Sequence, residues 1–172
     1  MTKCERIELA GISLDLLTDR GVWMPEHDTL LVADTHFGKE ATFRRNHIPV
    51  PTGSTTGTLA TINQMLNETT AARLVILGDM FHARSSLSPD VCEALETFFD
   101  QHADVEILLT LGNHDLRVGG LPSNWPIQTV SQHRIDRVLL THHPILAPAN
   151  VDLVICGHLH PALKVAGRVD RT

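Results

Sequence analysis

Residues 29–36 read Thr29-Leu30-Leu31-Val32-Ala33-Asp34-Thr35-His36, a β-rich run that ends in two metal-ligand side chains two positions apart. If the strand continues past Ala33, Asp34 and His36 point to the same face, as two ligands of one ion would. The pattern recurs along the chain. Arg73–Leu77 leads to Gly78-Asp79, and Val105–Leu111 leads to Gly112-Asn113-His114-Asp115. Arg134–Leu140 leads to Thr141-His142-His143-Pro144, and Val151–Cys156 leads to Gly157-His158-Leu159-His160. Singly, each motif also reads as a turn or a helix cap. Together, Asp34, His36, Asp79, Asn113, His142, His158 and His160 have the form of a two-metal hydrolase site written along a sequence. The glycines let the chain turn sharply where each strand stops.

Outward from these motifs, the chain divides into two halves of different character. The N-terminal strands Ile7–Leu9, Ile12–Leu17, Val22–Met24 and Thr29–Ala33 are separated by short turns, which predicts antiparallel pairing. Helices are expected over Thr55–Asn67 and Asp90–His102, the second entered by Ser88 as N-cap and Pro89 in the first turn. Residues 46–54, with Pro49, Pro51 and Gly53, read as a loop, and 116–126 as irregular. Strands alternating with helices after an antiparallel start predict a layered α/β (α+β) domain, one unit over residues 1–172. Polar clusters at the carboxyl ends of strands are where such folds place their sites.

Composition narrows the function. The 172 residues are 42% hydrophobic and 20% charged, ordinary for a globular domain, and no apolar run is long enough to span a membrane. The N-terminus does not resemble a signal peptide, so a cytoplasmic location is expected. Three widely spaced cysteines exclude a disulfide scaffold and a thiolate zinc site, and Cys156 reads as a small buried hydrophobe. A net charge of -6 gives no support to a broad basic surface for DNA, although bound divalent ions would reverse the sign inside a cleft. Aromatic residues are only 4%, too few for a long base-stacking platform, though Phe37, Phe43 and Phe81 are candidates for single contacts. Asp15, Asp19, His27 and His133 have no motif around them and read as surface or turn groups.

The ordered set Asp34-x-His36, Gly78-Asp79, Gly112-Asn113-His114-Asp115, His142 and Gly157-His158-x-His160 resembles the calcineurin-like metallophosphoesterases over residues 30–161. That resemblance implies a β-sandwich flanked by helices and two divalent ions. Asp34, His36 and His160 would hold one ion, and Asn113, His142 and His158 the other, with Asp79 bridging. It further implies attack on phosphorus by a hydroxide held between the ions, with His114 assisting the leaving group and Asp115 orienting His114. Oxygen and nitrogen ligands without thiolate suit Mn, Fe, Zn or Co, and the narrower resemblance that follows implies Mn as the first of these. The stretch from Asp34 to Arg45, with Pro49-x-Pro51-x-Gly53 and Gly78-Asp-Met-Phe-His82-Ala-Arg84, is similar to the DNA-ligase-associated members. This implies a DNA substrate, a role in DNA repair, and an ATP-dependent DNA ligase, a helicase and a nuclease-like protein as functional partners.

Lys39, Arg44, Arg84, His82 and His143 are candidate substrate contacts, with Arg45 and Arg117 as further cations. For Lys39 a solvated surface charge serves as well, and for His82 a loop cap. Against the family pattern, only residues 161–172 follow His160. The usual C-terminal strands would then be lacking, in a truncated chain or a naturally short member, and in a truncated chain exposed strand edges would favour a homodimer. Three functions stay open: a DNA phosphodiesterase or nuclease; a small-molecule phosphatase or cyclic-nucleotide phosphodiesterase; and a noncatalytic binding protein with a retained metal site.

Overall fold

A computed structural model describes residues 4–45, 47–49 and 53–161. Strands β1 (Cys4–Leu9), β2 (Ile12–Leu17), β3 (Val22–Met24) and β4 (Thr29–Val32) pair antiparallel in sequence order, because each turn between them is too short for a crossover. From β4 onwards pairing is parallel, through β5 (Arg73–Ile76), β6 (Glu106–Thr110) and β7 (Ile127–Val130). Crossovers carry α1 (Lys39–Arg45) and α2 (Ser54–Thr69), then α3 (Pro89–Gln101), then the one-turn α4 (Asp115–Val118). The seven strands form one sheet in the order β1 to β7. A second sheet holds β8 (Gln132–Ile135), β9 (Val138–Thr141) and β10 (Leu153–Cys156), with β9 central and parallel to β10.

The central strands are apolar on both faces because both faces are covered. Leu30, Val32, Leu74, Ile76, Ile107 and Leu109 share a core with Leu59, Ile62 and Leu66 of α2 and Val91 and Leu95 of α3. The alternate residues Leu31, Val75 and Leu108 share a second core with Ile135, Val138 and Leu140 of the small sheet. Each such side chain contributes about 1.5–3 kcal/mol on burial, so strand register is strongly specified. The result is a helix–sheet–sheet stack whose parallel strands all end at one edge.

Several expectations are corrected. The strand after Thr29 ends at Val32 and does not carry Asp34 and His36 in extended form. Residues 134–140 are not one strand but the hairpin β8–β9, with Asp136 left-handed (φ 49°) at the polar break Asp136-Arg137. Lys39–Arg45 is helical, which the sequence does not announce because the segment lacks a long apolar repeat. Asp15 is not a surface group: it is buried on β2 and accepts two hydrogen bonds from Arg6, at 2.6 and 2.8 Å. Cys156 is only partly buried, on the edge strand β10. Asn46 and Pro51 of the expected loop, and the expectation about missing strands on 162–172, fall outside the described residues.

Candidate metal centre

The two loops that carry Asp34 and Asp79 are held in register by parallel pairing that runs past the strand ends. Leu77 N donates to Val32 O (2.7 Å), Asp34 N to Gly78 O (3.1 Å), His36 N to Asp79 O (3.0 Å) and Phe37 N to Met80 O (2.8 Å). Within that frame Asp34, His36 and Asp79 adopt left-handed backbone, with φ of 52°, 46° and 50°, and so do His158 (68°) and His160 (42°). Five of the seven expected ligands therefore sit in a conformation that costs a non-glycine residue about 1–3 kcal/mol. It turns each side chain out of the strand direction and onto the shared edge.

Glycines make room for this. A Cβ on Gly78 (φ +79°) would run into the ring of His142, and one on Gly112 would run into the carboxylate and backbone nitrogen of Asp79. Gly112→Ala should therefore displace Asp79 and cost about 1–3 kcal/mol through overpacking. The checks are a lower melting midpoint and fewer ions per chain by elemental analysis; a variant matching wild type in both would refute this reading of the cradle.

The expected ligands converge. Donor atoms of Asp34, His36 and His160 lie within 4.8 Å of one another, as do those of Asp34, Asp79 and His142, and those of His142, His143 and His158. The hydrogen bonds show which atoms are left for an ion. His142 is buried, and its Nδ1 donates to Leu77 O (2.9 Å), because a carbonyl can only accept. Its Nε2 then faces Asn113 Oδ1 at 3.3 Å and Asp79 Oδ2 at 3.5 Å. Three electron-rich atoms directed at one another are what a cation satisfies, and fixing Nδ1–H on a carbonyl is how a ligand imidazole is usually oriented. Asp34 Oδ2 accepts from His158 N (2.9 Å), whereas Asp34 Oδ1 is buried with no hydrogen-bond partner, 3.7 Å from His160 Nε2. Leaving such an atom unpaired costs about 1–3 kcal/mol, which a bound cation would remove. The donor set fits divalent ions with nitrogen and oxygen preference.

His114 stands next to this cluster. Its backbone nitrogen donates to Asp79 Oδ1 (2.9 Å), and its ring Nδ1 donates to His82 O (2.7 Å). The exchangeable position is thus Nε2, 4.0 Å from Asp79 Oδ2. Asp115 was expected to orient this ring, but its carboxylate instead accepts from Phe81 N (3.1 Å) and Gly112 N (3.0 Å), tying the two loops together. Burial raises the Asp115 pKa, against the pull of those two bonds. The contact that orients His114 is a backbone carbonyl, which no side-chain motif can announce.

Of the expected substrate contacts, His82 stacks on His114 with ring centroids 5.1 Å apart, and His143 lies exposed beside His142 and His158. Lys39 is exposed, 5.7 Å from the centre of the Phe43 ring, and Phe43 in turn borders His82. Arg84 is exposed in a short helical turn. Arg44 is half-buried, with its Nη1 enclosed and without a hydrogen-bond partner among the described residues. Arg45 and Arg117 are exposed. Phe37 and Phe81 are core residues, 2% and 0% exposed, and are closed to base stacking; that expectation holds open only for Phe43. 

Burial pushes the His36 pKa down to about 4, with the negative charge of Asp79 opposing, and lowers those of His82 and His143 as well. The ring is therefore neutral, the form that ligates metal. A folded-state pKa below the unfolded value means that the unfolded chain takes up protons first on acidification. The metal-free protein should lose stability as pH falls from 6.5 towards about 4, the window bounded by the His36 values. Melting midpoints across that range test this, with a shallower fall expected for His36→Gln; equal slopes would contradict it.

The family model described as calcineurin-like phosphoesterase matches residues 27–143. A solved structure, the nuclease MPE of Pseudomonas putida, is 33% identical and superposes with a TM-score of 0.81, covering 92% of this chain and 74% of its own. No curated protein matches. Among the described residues no helix is long and apolar enough to cross a membrane.

Proposed function

This chain belongs to the calcineurin-like phosphoesterase family and is a metal-dependent phosphoesterase, and from that premise we propose that it is a phosphodiesterase or nuclease acting on DNA. The observation that carries this is the convergence of the Asp34, Asp79 and His142 donor atoms at the open carboxyl edge of the sheets, with His114 beside Asp79. In this reading Asp34, His36 and His160 would hold one ion, Asn113, His142 and His158 would hold the other, and Asp79 would serve both. Divalent ions held there, manganese as the first expectation, would supply an activated water and charge neutralisation at the phosphoryl oxygens.

The protein's own groups do the rest. Asp79 is positioned by the close approach of Gly112 and by the His114 backbone N–H. His114, its Nδ1 committed to His82 O, delivers the Nε2 proton to the departing sugar oxygen. His82 and His143 flank the reacting phosphate, and exposed Lys39 and Arg84 approach the strand's phosphates. A closed pocket would favour a small-molecule ester. Here His143, His158 and His160 are all exposed, which favours an extended substrate. The relative's description as a nuclease supports the same choice. The biological setting that fits is DNA repair, alongside the ligase, helicase and nuclease-like partners that the sequence resemblance implies.

The test is a metal-dependent panel of single-stranded DNA, duplex DNA, cyclic nucleotides and phosphomonoesters. Manganese-dependent cleavage of DNA is expected. Faster turnover of the phosphomonoester than of any diester would sink the assignment.

A further inference from the structure

A cleft of about 540 Å³ opens beside Asp34, between the β2–β3 turn and α2. Its volume falls within the range of about 300–1,000 Å³ typical of small-ligand sites, enough for one nucleoside. Val32, Ile62 and Met65 are buried side chains that give it apolar surface. The rim is polar. Thr58 Oγ1 donates to Ser54 O (2.9 Å) and Thr61 Oγ1 to Gly57 O (3.1 Å), so both hydroxyl protons are committed and the oxygens remain as acceptors. Asp19 adds a carboxylate that would accept from a base or sugar and repel a phosphate. Arg20, at the same turn, makes no side-chain hydrogen bond or ion pair among the described residues and offers the one cation of the lining.

Gly57 is the informative position. A helix glycine is less favourable than alanine by up to about 1 kcal/mol, which usually reflects a need for space or for positive φ. Neither applies here: the residue has ordinary helical backbone, and a Cβ on it would meet nothing within 4 Å. It does line the cleft, where a side chain would occupy the open volume.

We propose that this cleft is the subsite for the nucleoside flanking the scissile phosphate, with Arg20 meeting the next phosphate along the strand. The proposal rests on the phosphodiesterase reading above. It names a position outside the ligand cluster that sets preference for nucleotide-bearing substrates.

The experiment compares metal-loaded wild type, Gly57→Leu and Arg20→Ala on a thymidine dinucleotide and on methyl p-nitrophenyl phosphate, a diester without a nucleoside. For Gly57→Leu, kcat/KM on the dinucleotide should fall about tenfold or more, chiefly through KM, while the small diester changes less than about twofold. Arg20→Ala should lose affinity for a longer oligonucleotide and be unchanged on the dinucleotide. The Gly57→Leu melting midpoint should equal or exceed wild type, since leucine is the better helix former, so the loss cannot be unfolding. Separately, thymidine monophosphate should shift the amide resonances of Thr58 and Thr61 in wild type and not in Gly57→Leu. Equal losses on both diesters, or absence of those shifts, overturns the proposal. Failure of wild type to cleave any diester would instead overturn the phosphodiesterase reading, and the titration would still decide the cleft.

Discussion

Replacing Asp79 by Asn should remove nearly all turnover while leaving the fold intact. Asp79 is 2% exposed, and its two oxygens serve different partners: Oδ1 accepts from His114 N, and Oδ2 faces the Nε2 atoms of His142 and His114. Asn keeps the shape and can still accept the His114 bond, so the loop should hold. What would disappear is the negative charge that the proposed site shares between its two cations. Losing an interaction worth several kcal/mol in the transition state corresponds to about 10³-fold or more in kcat/KM. Elemental analysis should show fewer than two ions per chain. The metal-free variant should melt no lower than metal-free wild type, because a buried charge without a cation destabilises the fold. Full manganese stoichiometry with near wild-type turnover would show that Asp79 is not the bridging ligand.

His114→Ala should lower the rate on DNA by about 10²–10⁴-fold, the usual weight of a positioned general acid. Its ions should stay bound, since His114 is not among the assigned ligands. The diagnostic is the leaving group. A departing sugar oxygen needs a proton, whereas p-nitrophenolate leaves without one. The loss on a p-nitrophenyl diester should therefore be far smaller than on DNA. Similar losses on both substrates would assign His114 to phosphate binding rather than to proton transfer. His82→Ala makes a useful contrast, because the bond that orients His114 goes to the His82 backbone carbonyl. Truncating its side chain should cost much less than removing the His114 ring.

Much of the fold is legible in the sequence because apolar periodicity is local. The runs around Leu30, Leu74 and Ile107 mark strands buried on both faces, and the helical repeat of Leu59, Ile62 and Leu66 marks α2. The antiparallel start follows from turn lengths alone. The hairpin at Asp136 and the end of β4 at Val32 are not legible in the same way. Each depends on one residue taking a left-handed conformation, and aspartate is compatible with both outcomes. The burial of Asp15 is not legible for a related reason: its partner Arg6 lies on the neighbouring strand, and cross-strand pairing has no signal within either segment.

The sequence by itself determined the family, the layered fold and the identity of the candidate ligands, because each motif sits at the end of a strand that burial compels to form. Tertiary structure alone decided how those residues are used. It sets Asp34 and Asp79 in register through backbone bonds past the strand ends, assigns ring nitrogens through the carbonyls of Leu77 and His82, and sends Asp115 to the loop backbone. It also opens the cleft beside Gly57. The physical reason is range: hydrophobic pattern acts over neighbouring residues, whereas hydrogen-bond partners, left-handed turns and empty volume depend on atoms brought together only when the sheets and helices have packed.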